Sequence, residues 1–357
     1  MKKFLLILII AGSALALSLS VAGLYFYNSY KNTPMSDVPN EVIYEISTGK
    51  SFNAVASDLA AAGIIKNPQI FSLYARTTQQ RDKLKRGEYL LRTNMTPQEV
   101  LDVITSGKSI EKSLTVSEGL NIFEIATIFA KHGLVKKPEE FMQLVRDKQF
   151  IKELLGEEQV SLEGYLFPET YKYNKFSTAR SVVASMVRRF LAVYNEFEKL
   201  PRPHNWTRHQ VVTFASIVEK ETGAAFERPL ISSVFHNRIN KGMRLQTDPT
   251  IIYGKADITG KFEIRIDRSD ILAPTRYNTY VIAGLPPGPI ANPGKEAIAA
   301  ALKPATSNYY FFVSQNDGTH IFSETYEQHN KAVQKFQKDP KAREGKSWRD
   351  LNKKSGS

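Results

Sequence analysis

The sequence predicts an α+β protein made of an N-terminal membrane-crossing helix, one or two small α+β subdomains and a larger mixed α/β domain. Three observations predict it. Phe4 to Tyr27 carries no charged residue, a strand–helix–helix pattern occurs twice, and long helical patterns beyond it end in a strand–turn–strand signal. With 357 residues the chain has length for one or two extramembrane domains. The expected divisions are 1–27 for the short cytoplasmic end and membrane helix, 28–40 for a polar linker, 41–110 for the first subdomain, 111–338 for the large domain and 339–357 for a basic tail.

As a helix, Phe4 to Tyr27 would span about 36 Å, enough for a hydrocarbon core of about 30 Å with some tilt. Tyr25, Phe26 and Tyr27 supply an aromatic edge. Lys2 and Lys3 precede the run and only Lys31 soon follows it, so the excess of positive charge places the N-terminus in the cytoplasm and the rest outside. Ala14-Leu15-Ala16 has the small-x-small form of a signal-peptide cleavage site, but the apolar run continues to Tyr27, which favours an anchor.

Pro34 and Pro39 mark the linker, and an alternating strand from Glu41 follows. Ile46 to Phe71 then aligns without a gap on Val116 to Phe141. The alignment pairs Gly49 with Gly119, Ala56 with Ala126, Gly63 with Gly133 and Pro68 with Pro138. Each copy reads as strand, turn, helix, glycine stop and proline-initiated second helix. Two copies are too few for a solenoid. Their order is similar to that of the sugar-binding lysin motif, although strand–helix–helix is also a general way to build a small module. Between the copies lie a strand and a helix capped by Thr96 with Pro97 at its start.

Glu163 to Tyr171, EGYLFPETY, alternates along an extended segment broken by Pro168. Its rings suit either a core or a stacking platform for sugars, and Glu163 is a candidate substrate contact. A long amphipathic helix covers Thr178 to Leu200. Val211, Val212, Phe214, Ala215, Ile217 and Val218 then leave hardly any polar face, so the next helix is expected to be buried almost all round. Glu219 shares a face with Val212, Ala215 and Ser216, close to a stop at Thr222-Gly223. Burial and the negative helix end both favour a protonated carboxyl there, which suits a general acid. The competing reading pairs Glu219, Glu221 or Glu227 with Arg228 or Arg238.

A helix from Glu227 to Lys241 carries Asn237 and Arg238. Leu245 to Tyr253 reads as a loop presenting Gln246, Thr247, Asp248 and Tyr253 around Pro249, a mix of donors and acceptors suited to sugar hydroxyls, with capping by Asp248 as the alternative. Pro274 to Gly294 is rich in rigid turns and offers Tyr277, Asn278 and Tyr280. NYYFFVS and THIFS flank QNDG as a hairpin before a closing helix from Tyr326. His320 and His329 have no metal-ligand spacing with a third residue and read as structural or surface histidines; the chemistry inferred below implies no metal or cofactor.

The stretches SIVEKE, SSVFHNRINKGMRLQTDPTIIYG and YNTYVIAGLPPGPIANPG, with EGYLFPETY and YYFFVSQNDGTHIFSETYEQHN, resemble the membrane-anchored endolytic murein (peptidoglycan) transglycosylases, a YceG-like family, over nearly the whole chain. The resemblance implies that Glu219 is the catalytic glutamate, that the aromatic segment lines the cleft, and that a lysin-motif-like subdomain precedes the catalytic domain. It implies cleavage of the β-1,4 bond between N-acetylmuramic acid and N-acetylglucosamine in nascent strands, with the sugar's 6-hydroxyl attacking to leave a 1,6-anhydro end. Polymerising synthases are the implied partners. The rivals are a hydrolase using Glu221 or Glu227 and a non-catalytic wall-binding scaffold.

Composition narrows the partners. The absence of cysteine excludes disulfides, thiolate chemistry and Cys-ligated metal. A net charge of +12 calls for an anionic neighbour, but Lys and Arg are spread along the chain without a zinc-finger or RNA-recognition signature. Anionic headgroups and acidic wall polymer fit an exported chain better than nucleic acid.

Overall fold

The computed structural model describes residues 2–339, with side chains from residue 9 onward; of the expected tail only Asp339 falls among them. The described chain divides into two compact units. One comprises residues up to Lys112 with Lys172–Phe176, the other Ser113–Tyr171 with the residues from Ser177 onward. Among the described residues the fold is mixed α+β, with the strands forming three two-stranded sheets.

In the first unit helix α1 runs from Lys2 to Asn32, and Ile9–Asn32 is long and apolar enough to cross a membrane. The helix continues past the expected start of the linker. Residues after it are strapped down rather than loose: Ser36 N–H donates to Thr93 O at 3.0 Å, and Thr93 Oγ1 donates to Val38 O at 2.6 Å. Strand β1 (Glu41–Ile46), helices α2 (Phe52–Ala61) and α3 (Pro68–Thr77), strand β2 (Gly87–Arg92) and helix α4 (Pro97–Ser106) follow. The strands pair antiparallel from Glu41 opposite Arg92 to Ile46 opposite Gly87. Phe52, Val55, Leu59, Phe71, Leu91 and Leu101 build the core between them. Thr96 and Glu99 close a reciprocal capping box on α4.

Strand β3 (Lys112–Thr115) opens the second copy of the repeat, followed by helices α5 (Ile122–Lys131) and α6 (Pro138–Val145). The two copies match in backbone as well as in letters. Gly49 and Gly119 both take positive φ, as do Gly63 and Gly133, and Ser51 and Asn121 cap equivalent helices. Helix α7 (Lys148–Leu155), strand β4 (Thr170–Tyr173), which pairs with β3, and helix α8 (Ala179–Asn195) come next. The aromatic segment departs from expectation: Tyr165, Phe167 and Tyr171 are buried, with the Tyr165 ring edge-on to Phe190. These rings fill core rather than line a surface.

Helix α9 (Arg208–Glu221) is the axis of the second unit. Every residue from Val211 to Glu219 is buried, as its apolar run predicts. It packs against α10 (Arg228–Asn240), α11 (Asp248–Thr259) and α13 (Lys295–Leu302), with the short α12 (Arg268–Ile271) beside α11. Small residues on α13, Ala297, Ala300 and Ala301, are buried in this packing. The stretch expected as a loop from Leu245 to Tyr253 is instead the entry to α11, because Pro249 sits in the first helical turn, where its missing N–H costs nothing. The hairpin of β5 (Phe311–Ser314) and β6 (His320–Ser323) turns through Asn316 and Gly318, both at positive φ, and α14 (Tyr326–Val333) closes the unit.

Candidate active site

The last turn of α9 delivers Glu219 to the wall of an open cleft of about 490 Å³, lined also by Glu118, Gly119, Lys220, Glu221, Thr222 and Arg228. Only 4% of the Glu219 side chain is exposed, and both its oxygens have donors. Arg228 Nη2 reaches Oε1 at 2.7 Å and the Gly294 backbone N–H reaches Oε2 at 2.9 Å. The contacts therefore follow the ion-pair alternative, with Arg228 as partner. An apolar helix does not by itself set this carboxyl's environment; a guanidinium and a peptide N–H do.

The cleft wall beside Glu219 comes from the turn before α5. Gly119, at φ 76°, lets the chain bend tightly there, and its carbonyl accepts from Lys220 Nζ at 3.0 Å. Asn292 fastens that turn from the Pro- and Gly-rich loop: Gly119 N–H donates to Asn292 O at 3.0 Å, and Asn292 N–H donates to Leu120 O at 2.9 Å. Glu118 extends from the same turn to Arg228 Nη2 at 3.4 Å. Burial, and then the charge of Glu219, push the Glu118 carboxyl above its ordinary range, while Arg228 opposes them.

A second cavity of about 360 Å³ shares Glu221 with the first. It holds Gln246, Asp248 and Arg238 of the expected binding residues, together with the rings of Tyr280, Phe311 and Tyr326. Gln246 takes a positive φ of 53°, and the Asp248 carboxylate accepts from Tyr280 Oη at 2.7 Å. Glu221 accepts from the Thr247 hydroxyl, and burial pushes its carboxyl up to about 7. Arg238 is a backbone clamp whose donors go to Tyr310 O at 2.6 Å, Leu245 O at 2.7 Å and Arg244 O at 3.3 Å.

The remaining expected contacts are turned into packing. Glu163 is 2% exposed and accepts from Ile122 N–H at 3.0 Å, Tyr253 Oη at 2.9 Å and Asn292 Nδ2 at 3.0 Å, so it fastens the start of α5 to α11. Burial pushes its carboxyl up to about 8 against the pull of those donors. Tyr253 and Tyr277 meet edge to face in the same interior. Asn278, fully buried, donates to Asp270 O, Ile271 O and Ala273 O. Asn237 donates to Ser307 O at 2.8 Å and Tyr309 O at 3.0 Å, fixing the approach to the hairpin. Glu163, Asn237, Tyr253 and Asn278 thus spend hydrogen bonds on groups inside the fold, and the Tyr277 ring packs against Tyr253, so each has structural work beside its expected place at the substrate.

Sequence reasoning passed over Glu118 and gave Arg228 only the role of a possible ion-pair partner. A signal for Glu118 existed: in the repeat it stands where the first copy has Thr48, so an acid replaces a neutral residue beside the shared glycine. The three acids after Phe214 are also separated by their partners. Glu227 is 4% exposed and accepts from His320 N–H at 2.9 Å and is paired with His320 Nδ1 at 2.7 Å.

Comparison with known proteins follows the same outline. The model of the YceG-like family matches residues 44–335. The endolytic murein transglycosylase of Bacillus subtilis strain 168 is 31% identical over 334 residues, covering 89% of this chain and 91% of that one. The endolytic murein transglycosylase of Streptococcus pneumoniae strain D39 is 29% identical over 314 residues, covering 81% of this chain and 57% of the pneumococcal protein. A crystal structure of a yceG-like protein from Listeria monocytogenes superposes with a TM-score of 0.57 at 30% identity, covering 82% of this chain and 98% of that one.

Proposed function

Because the chain belongs to the YceG-like family, we propose that it is a membrane-anchored endolytic murein transglycosylase with Glu219 as its catalytic acid. The observation that carries the reading is the position of Glu219: a carboxyl on a rigid, buried helix, held by Arg228 and Gly294 N–H, at the wall of an open cleft. In the reaction Glu219 protonates the oxygen of the β-1,4 bond between N-acetylmuramic acid and N-acetylglucosamine. The bond breaks, an oxocarbenium-like centre forms, and the sugar's own 6-hydroxyl closes on the anomeric carbon as its proton passes to Glu219. A 1,6-anhydro end results, and the enzyme's proton count is restored. The attack is intramolecular, so no carboxylate is needed to activate water. Gln246 and Asp248, across Glu221 from the cleft, are the candidates to bind the strand further along, with Arg238 shaping that cavity by clamping its backbone.

Helix α1 is read as a single inner-membrane span with the N-terminus inside, given Lys2 and Lys3 before the apolar run. The tether restricts cleavage to glycan near the outer face of that membrane, which favours new strands and termination of their growth beside the polymerising synthases. The β1–α2–α3–β2 unit is read as lysin-motif-like and is assigned a grip on the glycan.

Hydrolysis is the second reading, and one observation favours it. Glu118 puts a second carboxyl in the cleft, as glycoside hydrolysis requires. Glu227 is engaged by His320 and Glu221 by Thr247, which argues against the water-directing roles expected for them. The deciding experiment is mass spectrometry of purified glycan strands digested by wild type and Glu219→Gln. Anhydro ends that fall at least about a hundredfold in the variant support the proposal. Reducing ends would replace it with hydrolysis, and undiminished cleavage by the variant would remove Glu219 from the chemistry.

A further inference from the structure

Glu118 and Glu219 are bonded to one and the same nitrogen. Arg228 Nη2 holds Glu219 Oε1 at 2.7 Å and Glu118 Oε2 at 3.4 Å, so the two oxygens lie no more than about 6 Å apart. A second contact ties them together: the Gly294 N–H that donates to Glu219 Oε2 belongs to a residue whose added Cβ would overlap the Glu118 carboxylate. Glu118 thus lies over the peptide that orients Glu219. The Glu219 and Arg228 side chains are 4% and 8% exposed, whereas that of Glu118 is 43% exposed, which gives the pair one buried and one solvent-facing member.

The charges facing the pair are few. Arg228 is shared, Glu296 adds a further negative charge near Glu118, and Lys220 spends a hydrogen bond on Gly119 O at the cleft wall. Two carboxylates on one guanidinium leave a net negative charge, so the pair takes up a proton more readily than one carboxylate beside one arginine. The Glu118 carboxyl is pushed up first by burial and then by the charge of Glu219, with Arg228 opposing.

We propose that Glu118 is a positioning residue for bond cleavage: by competing with Glu219 for Arg228 it makes the two carboxyls share one proton, which Glu219 presents to the glycosidic oxygen. This rests on the assignment of Glu219 as the acid. The proton leaves Glu219 for the departing oxygen and is replaced from the attacking 6-hydroxyl, so Glu118 is unchanged over a cycle.

The test is the pH profile of kcat/KM for the full chain on purified glycan strands, comparing wild type with Glu118→Gln, Gly294→Ala and Glu219→Gln, each checked for folding by its melting curve. Removing the Glu118 charge leaves Arg228 to Glu219 alone. The alkaline limb of Glu118→Gln is therefore expected about one pH unit lower, with about a tenfold loss above the limb and recovery of activity on the acid side. Gly294→Ala keeps every charge but displaces Glu118, and its limb moves in the same direction. A Glu118→Gln limb that stays in place, or a loss equal at every pH, overturns the proposal. Activity in Glu219→Gln would instead defeat the underlying assignment, so the two failures are told apart.

Discussion

Glu163 offers the sharpest separation between a substrate contact and a structural carboxyl. Its oxygens accept from Ile122 N–H, Tyr253 Oη and Asn292 Nδ2 in the interior, and burial lifts its carboxyl from 4.5 to about 8. A carboxyl raised on folding binds its proton more tightly in the folded chain, so its stabilisation is full below the unfolded value near 4.5 and is lost as pH rises through about 8. Each pKa unit corresponds to about 1.4 kcal/mol, which sets a ceiling on the order of 5 kcal/mol for the whole shift. His236 works in the opposite sense. Burial lowers it from 6.5 to about 4, so its contribution grows with pH only up to about 6.5 and is then flat. Glu221, raised to about 7, acts in the same sense as Glu163 but finishes earlier.

In the window from about pH 7 to 8 Glu163 therefore dominates, with an expected fall on the order of 1 kcal/mol in wild type and a smaller remainder from Glu221. Glu163→Gln keeps the shape, removes the titration and sets an amide NH₂ against Asn292 Nδ2. It should cost about 1–3 kcal/mol at pH 6 and reduce the slope above pH 7 to the small remainder from Glu221. Urea unfolding of the detergent-solubilised chain, followed by fluorescence of the buried Trp206, measures both quantities. kcat/KM at 25 °C should stay within about twofold of wild type while the protein is folded, since Glu163 reaches the cleft wall only through Asn292, whose bonds to Gly119 N–H and Leu120 O do not need the carboxylate. A variant of wild-type stability that loses kcat/KM would refute this reasoning and return Glu163 to the substrate.

Arg238→Ala leaves three carbonyls without their donor, an expected loss of about 3 kcal/mol and a melting temperature roughly 6–12 °C lower for a unit of this size; Arg238→Lys recovers little, because an ammonium cannot fork across them. Helix α1 predicts that the full chain stays with the bilayer through alkaline carbonate extraction, and release into the supernatant would refute the span.

What the sequence made legible follows from which forces are local. The all-round apolar run of α9, the helix starts at Pro68, Pro97 and Pro138, and the Asn316–Gly318 turn depend on neighbours in the chain, and each could be read directly. Leu245–Tyr253 was misjudged because Pro249 can end one element or begin another, and only tertiary packing on α9 selects the second. The same limit governs the site. Asn278 and Tyr253 have the functional groups of sugar contacts, yet burial commits those groups to Ala273 O and Glu163, and nothing within a few residues reveals it. Glu118 and Arg228 are 110 residues apart, so their meeting at Glu219 is a property of the fold alone.

The arrangement around α9 also explains why proximity in sequence does not give three acids one role. Residues 219 and 221 are about 200° apart around a helix, so the two carboxyls leave it on different sides. Glu219 meets a cation and a peptide N–H, Glu221 meets the Thr247 hydroxyl, and Glu227, beyond the helix, meets His320. Burial alone raises a carboxyl wherever it occurs, as at Glu163 and Glu221, and so cannot single out a catalytic acid. The distinguishing feature of Glu219 is the combination of open cleft, fixed orientation and a second carboxyl on the same arginine. A buried ion pair of this kind adds little net stability, because desolvation offsets most of the attraction. Its value, under the role proposed for Glu219, lies in holding one carboxyl oxygen at a defined place on a rigid helix at the wall of the cleft.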